Sequence, residues 1–201
     1  MSSVPPLHEA APRNKRRSRR VVPGTMKRKR YGLRILLALA ALFALGFLLP
    51  QRMHMPVAGA TRASYDQHSF WAYPWGESVT HKGVDIFARR GTAVRPATPG
   101  FVLRAGTNRL GGKVVYILGP KWRVHYYAHL DSVYARPFSF VGTDDVIGTV
   151  GSSGNAKGKP PHLHYTLSTL VPYPWRKDAA RQGARKMFYL DPIPYLNEAV
   201  K

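Results

Sequence analysis

The feature that most limits the fold is an apolar run near the N-terminus, Ile35–Leu49 (ILLALAALFALGFLL), which contains no polar side chain. Comfortable crossing of a bilayer needs about 20 apolar residues, so this run is short for a membrane span. Arg34 and Arg52 flank it, and their long side chains can extend to the lipid headgroups. The run therefore predicts either the core of a signal sequence or a short single-span anchor.

The arm before this run is strongly basic. The chain has a formal net charge of +21, and residues 1–34 contribute eleven Lys and Arg against the single acidic residue Glu9. Few apolar residues and like-charge repulsion predict a disordered arm. Basic residues on this side of an apolar helix favour a cytoplasmic N-terminus, which places residues 51–201 outside the cytoplasmic membrane, in the periplasm or cell-wall space. The arm is also suited to contact anionic lipid.

Two alternatives for this part of the chain remain open. The arm alone would also fit a nucleic-acid-binding segment, which we do not expect because the apolar run follows it immediately. Ala58-Gly59-Ala60 resembles a signal-peptidase site, and cleavage there would give a secreted domain. This site lies eleven residues beyond Leu49, so we favour an uncleaved anchor. The predicted organisation is a disordered cytoplasmic arm (1–34), an anchor or signal core (35–49), a linker (50–64) and one domain (65–201).

The rest of the chain has the pattern of a β-sheet domain. Short apolar or alternating runs are bounded by glycine and proline, and no helical period precedes the C-terminal part. Short strands at this spacing predict a mostly β fold with a compact antiparallel sheet. Residues 177–186 fit a short helix or a solvated loop, and residues 189–195 are expected to be extended or turning. The predicted strands are 100–105, 113–118, 123–129, 146–150 and 162–168.

The absence of cysteine means that a metal site has to use histidine and carboxylate ligands. His162 and His164 stand two apart in a predicted strand and therefore face the same side. His81 and Asp85 stand four apart, a spacing that alone is weak evidence. Two histidines and one aspartate give the three protein ligands of a catalytic zinc, with the fourth position open for water.

Such a site needs a further imidazole. Water activated by zinc can attack an amide carbonyl, and a nearby base has to take its proton and pass it to the leaving nitrogen. His129 and His162 are the candidates for this work. Period-two alternation along Arg123–His129 predicts that His129 shares a face of its strand with His125 and Tyr127.

The combination of motifs resembles a known family. The resemblance covers about Phe70 to Leu170 and is to the lysostaphin-type (LytM-like) zinc endopeptidases, which cut the peptide cross-bridges of peptidoglycan. It implies a fold of the LytM/lysostaphin, duplicated-hybrid-motif-like type. The motifs that carry it, in the order and spacing of the family, are His81-x3-Asp85, Tyr127-Ala128-His129-Leu130 and His162-x-His164.

The resemblance also implies roles for individual residues. His81, Asp85 and His164 are expected to bind Zn²⁺. His129 and His162 are expected to be the catalytic pair, one as general base and the other as stabiliser of the developing oxyanion, with the order left open. The substrate is expected to be a peptidoglycan peptide. The alternative is a catalytically silent LytM-like module that activates or scaffolds another cell-wall hydrolase.

The chain departs from the family pattern at one position. Family members often place a tyrosine six residues before the first ligand, where it steadies the tetrahedral intermediate. Trp75 occupies this position here, with Tyr73 nearby. His125 matches no role in the family and is expected to be structural or to line the cleft. The glycine-rich stretch 151–158 lacks the G-x4-G-K-[S/T] pattern of a phosphate loop and is expected to form a wall of the cleft.

Overall fold

The structure is a computed structural model that describes residues 24–200. The prediction of disorder for residues 1–23 lies outside this range. The N-terminal element is a helix, α1 (Gly24–Leu48), so it begins within the segment predicted to be disordered. Its part Tyr31–Leu48 is long and apolar enough to cross a membrane, although a signal sequence has the same properties. The chain divides into two compact units, the first ending at Ala41 and the second beginning at Leu42.

The second unit contains ten strands and a C-terminal helix, α2 (Ile193–Ala199). The main sheet is antiparallel in every pair and has the order β1-β9-β5-β4-β3-β7, with β10 also paired to β9. A smaller antiparallel sheet has the order β2-β8-β6. The strands are β1 (Val84–Phe87), β2 (Ala93–Val94), β3 (Gly100–Asn108), β4 (Gly112–Gly119), β5 (Arg123–Leu130), β6 (Ser132–Val133), β7 (Phe140–Val141), β8 (Gly148–Thr149), β9 (His162–Thr169) and β10 (Tyr189–Leu190).

The mostly β, antiparallel fold predicted from the sequence is confirmed. The C-terminal segments differ in detail from their predictions. Residues 177–186 lie between and within two short 3-10 turns, Pro174–Arg176 and Gly183–Phe188. The tail is extended only at β10 and then turns into α2, where the Asp191 carboxylate accepts a hydrogen bond of 2.9 Å from the Ile193 amide.

The main sheet has one face packed on the hydrophobic core and one face that carries polar side chains. Val84 and Ile86 of β1 and Leu163 and Tyr165 of β9 are fully buried on the core face. Burial of a large apolar side chain stabilises the fold by roughly 1.5–3 kcal/mol. Because side chains alternate along a strand, the residues between them, starting with Asp85, lie on the opposite face. We call this opposite face the site face.

Part of the segment 50–64, predicted as a linker, belongs to the domain. Val57 is fully buried in the core and forms an isolated bridge with Val94. The Ala58 amide donates to the Ala93 carbonyl at 3.1 Å, and the Ala60 amide donates to the Val57 carbonyl at 3.1 Å. The possible cleavage site therefore lies in a stretch that is hydrogen-bonded to the domain.

Candidate metal centre

The register of β1 against β9 places two of the predicted ligands side by side. Asp85 pairs directly with His164, and Phe87 pairs with His162. Opposite residues of an antiparallel pair point to the same face of the sheet. Asp85, His164 and His162 therefore all lie on the site face, as the spacing within the His162-x-His164 motif predicts.

His81 reaches the same place from the segment that precedes β1. Its side chain is fully buried, and its Nδ1–H donates to the Ser69 carbonyl at 2.9 Å. Gly83 allows this segment to lie tightly against β9, because a Cβ there would be 2.3 Å from the Tyr165 carbonyl oxygen. The close approach brings His81 and Asp85 together at the edge of β9.

Three ligand atoms converge at this point. His81 Nε2 lies 3.1 Å from Asp85 Oδ1 and 3.2 Å from His164 Nδ1, and the last two atoms are 2.7 Å apart. Around a tetrahedral zinc, ligand atoms with bonds of about 2.0–2.2 Å lie roughly 3.3–3.6 Å from one another. The two separations from His81 Nε2 are close to this distance, and the nitrogen and oxygen donors are those that zinc binds.

The hydrogen bonds on the outer side of the rings support the same conclusion. Because His81 Nδ1–H donates to Ser69, a neutral His81 ring has its Nε2 lone pair facing Asp85 and His164. Thr166 Oγ1 lies 3.1 Å from His164 Nε2, so a proton on that nitrogen leaves the Nδ1 lone pair facing the cluster. Lone pairs this close repel one another unless a cation lies among them. Such outer hydrogen bonds are typical of histidines that bind metals.

The electrostatics keep the ligands in the required protonation states. Burial lowers the pKa of His164 below its usual value, although the neighbouring Asp85 carboxylate acts in the opposite direction. Burial alone would raise the pKa of Asp85, but the adjacent His164 and His81 rings hold it well below its usual range. Near neutral pH the cluster therefore offers an ionised carboxylate and a neutral His164, which are the forms that bind metal.

The two predicted catalytic histidines lie beside this cluster. The rings of His129 and His162 are in edge contact, with centroids 5.0 Å apart, and the His129 ring is 5.8 Å from that of His164. Each Nδ1–H donates to a backbone carbonyl at 2.8 Å, that of Ser153 for His129 and that of Pro160 for His162. In both neutral rings Nε2 is therefore the nitrogen free to accept a proton. Burial is the largest effect that lowers the pKa of His129, to about 4, so this ring is neutral at pH 7.

The prediction that His129 shares a face with His125 and Tyr127 is wrong. Those two side chains are fully buried on the core face, whereas His129 lies beside His162 on the site face. The cause is a β-bulge, because two residues at the end of β5 oppose the single residue Val114 of β4. His129 itself has a φ of 62°, in the left-handed region, which turns its side chain away from the regular alternation.

Several residues of the site were not predicted. Thr166 could have been found from the sequence, because it stands two residues after His164 on the same face of β9. The carbonyl partners of the histidines, on Ser69, Ser153 and Pro160, depend on loop conformation and have no sequence signal. Trp75, at the family's tyrosine position, stacks on the His81 ring with centroids 4.0 Å apart and an angle of 23° between the rings.

The antiparallel sheet and its histidine–aspartate cluster define a class of protein, the LytM-type metallopeptidases. Residues 79–174 match the family model described as Peptidase family M23, so this part of the chain is a Peptidase M23 domain.

Individual proteins are also similar to this chain in sequence. The L-Ala–D-Glu endopeptidase of Bacillus subtilis is 34% identical over 145 residues, which are 67% of this chain and 40% of that protein. The glycyl-glycine endopeptidase ALE-1 of Staphylococcus capitis is 30% identical over 135 residues, 66% of this chain and 33% of that protein. This chain therefore spans less than half the length of these relatives.

Solved structures show the same fold. A LytM-type protein from Ruminococcus gnavus has a TM-score of 0.57 at 24% identity, covering 78% of this chain and 64% of its own. The catalytic domain of lysostaphin from Staphylococcus simulans has a TM-score of 0.52 at 24% identity, covering 67% of this chain and 93% of its own.

Proposed function

We propose that this chain is a zinc-dependent endopeptidase that hydrolyses peptide cross-links of cell-wall peptidoglycan. The observation that carries the proposal is the convergence of His81 Nε2, Asp85 Oδ1 and His164 Nδ1 within 3.2 Å of one another. The Peptidase M23 domain and the similarity to the L-Ala–D-Glu endopeptidase support the substrate class. No observation favours the alternative of a catalytically silent module.

The residues around the cluster have complementary tasks in this reaction. Bound at the three ligands, zinc would polarise the scissile carbonyl and lower the pKa of a water molecule. Of His129 and His162, one accepts the proton of the attacking water at Nε2 and passes it to the leaving amide nitrogen. The other, in its protonated form, donates an Nε2–H hydrogen bond to the developing oxyanion. Asp85 Oδ2 lies 3.9 Å from His162 Nε2.

Hydrolysis of purified peptidoglycan by the full chain in detergent tests this function. We expect the zinc-loaded protein to release soluble muropeptides with cut cross-links, and chelator treatment to abolish the release until zinc is added back. His164→Ala should lose activity by a factor of about 100 or more, because it removes a ligand. His54→Ala is the matched control, since His54 is exposed and outside the cluster. Release that is unchanged by the chelator or by His164→Ala would contradict the proposal.

We also propose that α1 anchors the domain on the outer side of the cytoplasmic membrane, which its apolar length supports. Protease added to intact spheroplasts should then digest the domain, while a tag on the N-terminal arm stays protected. Protection of the domain would contradict this topology. Contact of the arm with anionic lipid stays a prediction.

A further inference from the structure

The site face continues beyond the metal centre as a floor of aromatic side chains. Tyr126 of β5 pairs with Thr166 of β9 on one side and with Tyr116 of β4 on the other, so all three share the site face. The Tyr126 and Tyr116 rings are 4.6 Å apart, and the Tyr126 ring is 6.2 Å from that of His164. Both tyrosines remain partly exposed. We call this pair the tyrosine floor.

One side of the tyrosine floor ends at Arg104 of β3. Arg104 pairs directly with Tyr116, is exposed, and donates to the Thr107 carbonyl at 3.1 Å. Among the side chains of residues 31–200, no carboxylate forms an ion pair with it. The charge of Arg104 acts on the Tyr126 hydroxyl, where it partly offsets the rise of the pKa to about 12 that burial causes.

The segment 174–188 bounds the side of the tyrosine floor opposite to Arg104. Most of this segment lies beyond the family match at 79–174. Trp71 attaches this segment to the metal centre, because its amide donates to the His81 carbonyl at 2.6 Å and its indole N–H donates to the Arg181 carbonyl at 3.0 Å. Tyr189 continues the wall, with its ring centroid 5.9 Å from that of Trp71 and an angle of 59° between the rings.

This wall is positively charged. Its only acidic residue, Asp178, is paired with Lys186 at 2.5 Å. Arg185 is exposed and has no carboxylate partner among residues 31–200. Its charge acts on the Tyr189 hydroxyl, opposing the rise in pKa that burial causes there. The basic residues of the segment are Arg176, Lys177, Arg181, Arg185 and Lys186.

We propose that the tyrosine floor is the binding site for an acidic part of the substrate peptide, and that Arg104 and Arg185, one on each side, bind its carboxylates. The floor begins at the ring of a metal ligand, so a peptide whose scissile amide lies at the cluster can extend over it. Guanidinium groups form paired, charge-assisted hydrogen bonds with carboxylates. The inference rests on the proposed function for the identity of the peptide, and it predicts selection of cross-links with free carboxylates over neutral ones.

Binding of a matched pair of ligands to the metal-free full chain in detergent tests the proposal. The pair is a fluorescent cross-linked muropeptide and the same muropeptide with its free carboxylates amidated. We expect the acidic form to bind about 10- to 100-fold more tightly, measured by fluorescence anisotropy, because charged hydrogen bonds contribute that much. The double variant Arg104→Gln/Arg185→Gln should bind both forms equally weakly. Arg136→Gln, which removes an equal charge from the β6–β7 connection, should retain the preference.

The outcomes separate this inference from the proposed function. Equal binding of the two muropeptides by the unaltered chain, or a preference that survives in a folded double variant, overturns the role of the arginines. Thermal melting of each variant establishes that it is folded. If the zinc-loaded protein cuts neither muropeptide while the metal-free protein prefers the acidic one, the carboxylate site stands and the endopeptidase proposal fails.

Discussion

At the scale of single residues, the site depends on hydrogen bonds that orient each imidazole through the ring nitrogen pointing away from the metal centre. His81, His129 and His162 each use Nδ1–H to contact a backbone carbonyl, which leaves Nε2 facing inward. His164 is the exception, because its Nδ1 faces the cluster and its outer Nε2 meets the Thr166 hydroxyl. The side chain of Thr166 is therefore the one outer partner of these four rings that a point mutation can remove.

Thr166→Val keeps the shape of the side chain and removes the hydroxyl next to His164 Nε2. We expect zinc affinity to fall by about 10- to 100-fold, the usual effect of losing such an outer partner. Competition with a fluorescent zinc chelator measures it. Thr169→Val is the control, because Thr169 lies on the same strand, is buried, and bonds to the Val171 carbonyl instead. An equal effect of the two variants would show that the loss reflects general destabilisation.

At the scale of secondary structure, the sequence predicts the regular strands and misses the irregular backbone. Apolar runs bounded by glycine, such as 113–118, lie within observed strands. The β-bulge that turns His129 towards the metal centre has no such pattern, because it depends on the pairing of β5 with β4. The two-residue strand β2 is too short for any periodicity, and of the predicted strand 146–150 only the two residues of β8 are paired. The same limit explains why Val57 was assigned to a linker, since its burial depends on pairing with the distant Val94.

Because the segment around Val57 packs into the domain, its removal by truncation should lower the stability of the domain. A soluble chain that begins at residue 61 loses the buried Val57 side chain and the backbone hydrogen bonds of its neighbours. We expect it to be less stable than a chain beginning at residue 50 by about 2–4 kcal/mol, from one buried apolar side chain and lost hydrogen bonds. Urea denaturation of the two chains measures the difference. Equal unfolding midpoints would show that the segment contributes nothing to the domain.

At the scale of the whole molecule, a buried histidine links the core to the chain that follows α1. Gln51 Oε1 accepts a hydrogen bond from Arg123, so its Nε2 donates to His125 Nε2 at 3.1 Å. His125 Nδ1–H then donates to the Tyr165 hydroxyl at 2.7 Å. Both ring nitrogens are satisfied in the neutral form, and His125 has the structural role that the sequence left as one of two options.

This histidine makes the stability of the protein depend on pH. Burial, reinforced by Arg123, lowers the pKa of His125 from 6.5 to about 3. Between these values the unfolded chain binds a proton that the folded protein does not, so stability is lost as the pH falls below 6.5. At pH 5 the expected loss from this group is about 2 kcal/mol.

Urea denaturation of the metal-free protein at pH 7.5 and pH 5 measures this loss. His125→Gln cannot bind the proton, so its stability should decrease less between the two pH values. His54→Ala is the control, because it removes an exposed histidine outside this chain of hydrogen bonds. The same pH dependence in His125→Gln and the unaltered protein would contradict the assignment.

The carbonyl contacts of the three histidines have a consequence for how such a domain can diversify. Every amino acid has a backbone carbonyl, so the orientation of these rings does not require a particular side chain at Ser69, Ser153 or Pro160. Mutations in the surrounding loops that keep the backbone path can then accumulate without misaligning the rings. Evolution, or an engineer, can therefore exchange the side chains that choose the substrate while the chemistry at the centre is preserved.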